Sequence, residues 1–187
     1  MAVLDAIQTP AFQQRFFFLA KRFIAGETVA EAMDAVAGLN AAGMTATLDF
    51  LGEDVTQRSE AERTRDAYFE LLEAIRTRGV ETNVSVKLTA MGLLVDEDLA
   101  LANLRGVLAA AARNSDPFVR IDMEGTAVID ATLRVFERAF SETQNVGPVL
   151  QSYLKRTADD VERMIALGAR VRLCKGAYGE PSAISRR

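Results

Sequence analysis

The sequence predicts an α/β fold of the (β/α)8 TIM-barrel type, and three observations carry that prediction. Helical and extended periodicities alternate along the chain five times, with no low-complexity linker between them. Each extended segment keeps one polar face, whereas a sheet covered by helices on both sides would read as continuous apolar runs. The polar side chains gather toward the C-terminal ends of those segments, the rim on which barrels build their chemistry.

A helix is expected over Thr28–Ala42, within an N-terminal helical region of about 1–42. Thr28 and Glu31 have capping-box spacing, Val29, Met33, Val36 and Leu39 form a stripe, and Gly43 ends it. Met44–Phe50 then alternates as a first strand, with Thr45, Thr47 and Asp49 on its polar side. Ser59 with Glu62 should open the second helix, whose apolar positions are Tyr68, Leu71, Leu72 and Ile75. Arg76 and Arg78 suit its C-terminal dipole, and Gly79 follows.

The second strand, Thr82–Leu88, sets Val84, Val86 and Leu88 against Asn83, Ser85 and Lys87. Asp96, Glu97 and Asp98 begin a helix reaching about Asn114. The third strand, Pro117–Met123, sets Val119, Ile121 and Met123 against Phe118, Arg120 and Asp122. A helix from Thr126 carries Val128, Ile129, Leu133, Phe136 and Phe140. Gly147–Leu154 is a fourth strand, and Thr157 caps a short helix with Val161, Met164 and Ile165 that Gly168 ends. Ala169–Cys174 is the fifth strand.

With 187 residues and 49% hydrophobic content, the chain can bury one sizeable core, so a single domain over 1–187 is expected. A net charge of −4 argues against general nucleic-acid binding. Cys174 is the one cysteine, which rules out an internal disulfide and suits a reducing compartment. Histidine is absent. That removes Ser-His-Asp and Cys-His catalysis and most catalytic zinc sites, and no metal site is expected. The apolar run Phe16–Ala20, followed by Lys21-Arg22, is too short to span a bilayer. The chain reads as cytoplasmic.

The polar strand faces carry Asp49, Lys87, Arg120, Asp122, Gln151 and Arg172. A doubly wound sheet is the rival architecture, but Leu51-Gly52-Glu53 after the first strand is no phosphate-binding glycine fingerprint. Lys87 on a lumen face either pairs with Asp49 or Asp122 or holds a substrate carboxylate. Asp49 and Asp122 could equally be structural partners of Lys87, Arg120 and Arg172, and the Glu60–Arg65 cluster reads as a solvated helix face. In Arg172–Tyr178 two cations bracket a strand end, a glycine follows and then an aromatic. That pattern fits a wall against a planar, electron-rich cofactor, or a phosphate or carboxylate pocket.

Several motifs, in register from about Arg22 onward, resemble the proline dehydrogenase family, both monofunctional enzymes and the matching domain of bifunctional bacterial proline utilisation proteins. They are Leu48-Asp49-Phe50-Leu51-Gly52-Glu53, Ser85–Ala90 around Lys87, Arg120–Glu124 around Asp122, Val149–Leu154 around Gln151, and Arg172–Tyr178. Pro181–Ile184 is similar to the loop that follows the last of these. The resemblance implies FAD over the C-terminal rim, lined by Val149, Gln151, Arg172, Lys175, Gly176 and Ala177, with Arg172 near the hydride-accepting nitrogen. It implies that Lys87 binds the proline carboxylate, that Asp49, Asp122 and Tyr178 shape the substrate pocket, and that Glu53 forms a gating ion pair with an arginine.

The implied reaction oxidises L-proline to 1-pyrroline-5-carboxylate and passes electrons to a quinone at the inner membrane face. In that family the cofactor does the hard chemistry while the protein orients and charges the site. The family's barrel has three further strands and a C-terminal arginine pair, so the resemblance implies a barrel truncated after about five strands and inactive on its own. Two alternatives stay open: a non-catalytic half-barrel that oligomerises through its open edges, and a lysine-dependent barrel aldolase using Lys87 as its Schiff-base amine.

Overall fold

The computed structural model describes residues 24–186. Five parallel strands form one sheet in sequence order: β1 (Ala46–Leu48), β2 (Thr82–Val86), β3 (Val119–Ile121), β4 (Val146–Gln151) and β5 (Arg172–Cys174). Helices α1 (Val29–Ala41), α2 (Arg58–Arg78), α3 (Glu97–Ala111), α4 (Ile129–Phe140) and α5 (Thr157–Leu167) alternate with them. A doubly wound sheet reverses its strand order at a switch point. Here the order β1-β2-β3-β4-β5 never reverses, which is the connectivity of a barrel wall, and the sheet is a half-barrel with its helices outside.

The strand alternation accounts for the core. Val84, Val86, Val119 and Ile121 point outward and are fully buried, in one cluster with Leu71, Leu72 and Ile75 of α2 and Leu101, Leu104 and Val107 of α3. Each such side chain contributes roughly 1.5–3 kcal/mol relative to exposure. Leu39 and Ile165, expected within apolar stripes, are instead 39% and 66% exposed. The stripe on each outer helix is therefore narrower than its sequence periodicity suggests.

The strands are shorter than their periodicity. β1 covers Ala46–Leu48 of the expected Met44–Phe50, β3 covers Val119–Ile121, and β5 covers Arg172–Cys174. Single backbone bonds carry the pairing a residue or two past β3 and β4 before the chain turns into the rim loops, whereas β1 loses its ladder at once. The reason is visible between β1 and β2, where the Tyr68 hydroxyl accepts from Phe50 N (3.3 Å) and donates to the Ser85 carbonyl (2.6 Å). A phenol thus stands where a direct strand-to-strand hydrogen bond would continue.

The Thr28–Glu31 capping box forms, with Glu31 N donating to Thr28 Oγ1 at 3.2 Å. Asp96 caps α3 by accepting from Leu99 N. Two cap expectations are corrected. α2 begins after Gln57 with no side-chain cap, because Ser59 already lies inside the helix. α5 begins after Arg156, and Thr157, its first residue, turns its hydroxyl to the Gln151 carbonyl at 2.5 Å. Part of the expected 1–42 helical region, and the whole Phe16–Ala20 run, lie outside the described residues.

Arginine–carboxylate pairs join neighbouring helical units on the outer surface. Arg78 meets Asp34, Arg134 meets Glu97, Arg138 meets Asp98 at 2.7 Å, and Arg163 meets Glu137. Such exposed pairs are worth about 0–1 kcal/mol each, so they tune helix register more than they stabilise the fold. Among the described residues no helix is long and apolar enough to cross a membrane.

Candidate active site

Strand register decides which side chains meet at the rim. Val86 pairs with Ile121 and Val149 with Arg172, so extending β2 and β3 by one residue sets Lys87 beside Asp122. The backbone N–H of Asp122 donates to the Val86 carbonyl at 2.9 Å, which continues the β2–β3 pairing past the strand end. The Arg172 guanidinium passes over buried Val149 and reaches Asp122, with Nη1 3.6 Å from Oδ1.

Lys87 takes a different partner from either of those anticipated. Its ammonium lies 3.6 Å from Oε2 of Glu53, in the loop after β1, rather than on Asp49 or Asp122. Tyr178 Oη donates to the same Glu53 oxygen at 3.0 Å. The cation beside Glu53 among the described residues is therefore a lysine, where the resemblance implied an arginine. Burial, reinforced by the Glu53 hydrogen bond and charge, pushes the Tyr178 phenol well above its usual range, so it stays protonated as a donor.

Asp49 sits close enough to Asp122, Lys87 and Arg172 to feel all three. Its carboxyl is raised above the ordinary value of 3.8, first by burial and then by the Asp122 charge, with Lys87 and Arg172 pulling it back. Deeper in the lumen, burial and the neighbouring Arg172 and Arg170 charges lower the Arg120 guanidinium. The lumen is a mixed-charge surface in which cations and carboxylates alternate across strands.

The ends of β4 and β5 form the other half of the rim. Gln151 is 2% exposed; its Nε2 donates to the carbonyls of Met123 (3.3 Å) and Glu124 (2.9 Å), and its Oε1 has no hydrogen-bond partner. Gly176 adopts φ +100°, and a Cβ there would fall 2.2 Å from the Tyr153 ring and 2.8 Å from Gln151 Oε1. The close approach that demands glycine is thus toward Tyr153 and Gln151. Lys175 and Ala177, on either side of it, are exposed.

The loop after β5 folds back over the rim. Thr126 donates its N–H and hydroxyl to the Glu180 carboxylate at 2.7 and 2.5 Å, Tyr153 Oη donates to the Tyr178 carbonyl, and Lys155 Nζ donates to the carbonyls of Ser182 and Ala183. Three polar residues outside this web went unassigned in the sequence: Thr89, Glu124 and Tyr68. Thr89 and Glu124 lie inside the motifs around Lys87 and Asp122, and a carboxylate directly after a strand of buried aliphatics was the available signal. Tyr68 matched an apolar stripe, so its hydroxyl gave none.

Five parallel strands in sequence order, with cations and carboxylates converging at their C-terminal ends, define the wall of an α/β-barrel protein. Residues 32–184 match the family model described as proline dehydrogenase, and the chain belongs to that family. It is 37% identical over 166 residues to proline dehydrogenase 1 of Bacillus subtilis subsp. natto, covering 89% of this chain and 55% of that protein. Proline dehydrogenase of Deinococcus radiodurans is 35% identical over 193 residues, covering 98% of this chain and 62% of its own length. The chain thus spans a little over half the length of these relatives. The solved structure of Proline Utilization A (PutA) from Corynebacterium freiburgense superposes with a TM-score of 0.60 at 28% identity, over 81% of this chain and 18% of that one.

Proposed function

We propose that this chain provides the substrate-binding and flavin-facing wall of an enzyme that oxidises L-proline to 1-pyrroline-5-carboxylate. The observation that carries the reading is the Lys87 ammonium, held at the rim 3.6 Å from a carboxylate oxygen. Glu53 occupies the position that a substrate carboxylate would take, and the Glu53 side chain, 40% exposed, is free to yield it. A charge-assisted contact of that kind contributes roughly 1.5–3 kcal/mol. Asp49, Asp122 and Tyr178 surround the same opening and shape it for the ring of a small amino acid.

The residues at the ends of β4 and β5 fit FAD. The buried, unpartnered Gln151 Oε1 offers an acceptor to an N–H group, which an isoalloxazine edge carries. Arg172 and Lys175 supply positive charge at this end of β5, with Val149, Gly176 and Ala177 completing the wall. Bound there, the flavin would supply the two-electron oxidation. Arg172 would stabilise the negative charge of the reduced cofactor, and Lys87 would orient proline by its carboxylate while the Tyr178 phenol keeps its proton.

The reading extends to a quinone as electron acceptor, reached from the cytoplasm at the inner membrane face. It also extends to a single barrel domain whose full activity draws on parts of the relatives that this chain does not span. The test is direct. The purified chain is assayed for a flavin spectrum and proline-dependent dye reduction, alone and with the remaining segment of a relative added. Flavin binding and turnover with the added segment support the reading. Borohydride trapping of a carbonyl substrate on Lys87, with no flavin bound in either case, would replace it with aldolase chemistry.

A further inference from the structure

Glu124 is the most deeply buried carboxylate at the rim, and nothing in the proposed chemistry uses it. It is 3% exposed, and Thr89, its hydrogen-bond partner, is 1% exposed. Thr89 N donates to Glu124 Oε1 at 3.1 Å, and the Thr89 hydroxyl donates to Oε2. The same hydroxyl oxygen accepts the Asp54 N–H at 2.9 Å, and Val55 N–H donates to the Thr89 carbonyl at 3.2 Å. On the other side, the Glu124 carbonyl accepts from Gln151 Nε2 at 2.9 Å. One residue after β3 therefore ties together the loops that follow β1 and β2 and the end of β4.

Two features argue that this web is built for position. The carboxyl meets Thr89 through both of its oxygens, the backbone N–H on one and the hydroxyl on the other. Asp54 holds φ +61°, a left-handed conformation that its surroundings keep in place. The surroundings here are Thr89 Oγ1, oriented by Glu124. Asp54 directly follows Glu53, the residue that meets Lys87, and Thr89 lies two residues after Lys87 itself.

We propose that Glu124 is the positioning residue of this rim: through Thr89 its carboxylate fixes the β1 and β2 loops and so sets Glu53 against Lys87. The proposal rests on the reading of Lys87 as the carboxylate-binding cation, but its geometry is independent of flavin and proline. Burial, with the Glu53 charge adding to it, raises the Glu124 carboxyl, while the Thr89 hydrogen bonds and the Lys87 charge pull it down. The Thr89 hydrogen bonds are the contacts that hold the carboxyl in place. Removing one of them should therefore release the loop.

Glu124→Gln replaces a carboxylate oxygen with an amide N–H₂, so the Thr89 hydroxyl loses the acceptor it donates to. Thr89→Val deletes the hydroxyl and leaves Glu124 in place. Two readouts are taken on the 187-residue chain without cofactor: amide hydrogen exchange at Asp54, and acylation of Lys87 relative to Lys155 and Lys175. Both variants should speed Asp54 exchange and Lys87 labelling by roughly tenfold or more, the loss of one charged hydrogen bond, while exchange at Leu104 in the α3 core stays unchanged. Unchanged exchange and labelling in a folded variant overturns the proposal. If Glu124→Gln does not fold, Thr89→Val decides by Lys87 labelling alone, because that variant itself removes the acceptor of the Asp54 N–H. Absent proline turnover in the wild-type chain counts against the proline reading alone, since neither readout depends on it.

Discussion

Arg172 Nη1 stands 3.6 Å from Asp122 Oδ1, so the cation at the base of the β5 motif meets the carboxylate of the β3 motif across the intervening strand. Half-exposed, the pair contributes little stability. It does fix where the guanidinium charge lies, directly above Val149 and beside the end of β4.

The first expectation follows from that charge. Arg172→Ala in flavin-loaded protein should lower the reduction potential of the flavin, because the reduced form loses a nearby cation. Spectroelectrochemistry on a variant that retains its flavin reads the shift directly, and an unmoved or raised potential contradicts the assignment.

Lys87→Met removes the ammonium while keeping the length of the side chain. The apparent constant for proline should rise about ten- to a hundredfold, as expected for a lost charge-assisted contact of roughly 1.5–3 kcal/mol. Flavin content, read from the visible spectrum, should be unchanged. Steady-state kinetics with an artificial dye acceptor separates this from a general loss of folding.

Tyr68→Phe leaves the packing of α2 intact and deletes only the bridging hydroxyl. Phe50 N and the Ser85 carbonyl each lose a partner in a site that is 2% exposed at Tyr68. A loss of about 1–3 kcal/mol is expected in urea denaturation, with an unchanged slope. A ring already in edge contact with Phe50 at 4.9 Å keeps the rest of the core in place.

Asp49 makes a pH-dependent expectation. Its carboxyl is raised in the folded state by burial and by Asp122, so the folded chain holds this proton more tightly than the unfolded one. Stability from this group is present below its ordinary 3.8 and is lost as pH rises through the raised folded value. Asp49→Asn escapes that loss. Its advantage over the wild type should be small at acid pH and grow toward pH 7, to about 1 kcal/mol or less because solvent reaches the lumen. Denaturation midpoints measured across that range check the sign.

Much of the scaffold was legible in the sequence, and the reasons are physical. Period-two alternation placed Lys87, Asp122 and Arg172 on one face, and the five alternating helical and extended periods gave the barrel its repeating units. The Thr28–Glu31 cap was read correctly because both partners lie within one turn. The ion pairing was not legible. Lys87 meets Glu53 instead of Asp49 or Asp122 because the β1 loop folds back over the rim, and a loop path has no periodicity to read. Ser59 and Thr157 misled for the opposite reason. Their types suit a cap, yet packing set the helix starts elsewhere, after Gln57 and Arg156.

The sequential strand order also bears on how such a chain acquires its shape. Almost every tie described above joins a unit to the next one or the next but one, as in Arg78 with Asp34 or Arg172 with Asp122. A nascent chain can therefore bury each repeat soon after it emerges, without waiting for distant sequence, and growth proceeds by accretion along one direction. Tyr178 and Glu53 are the exception, 125 residues apart and joined only at the rim. Their bond should be the last to form and the first to open, so Glu53 meets Lys87 before the Tyr178 phenol joins them.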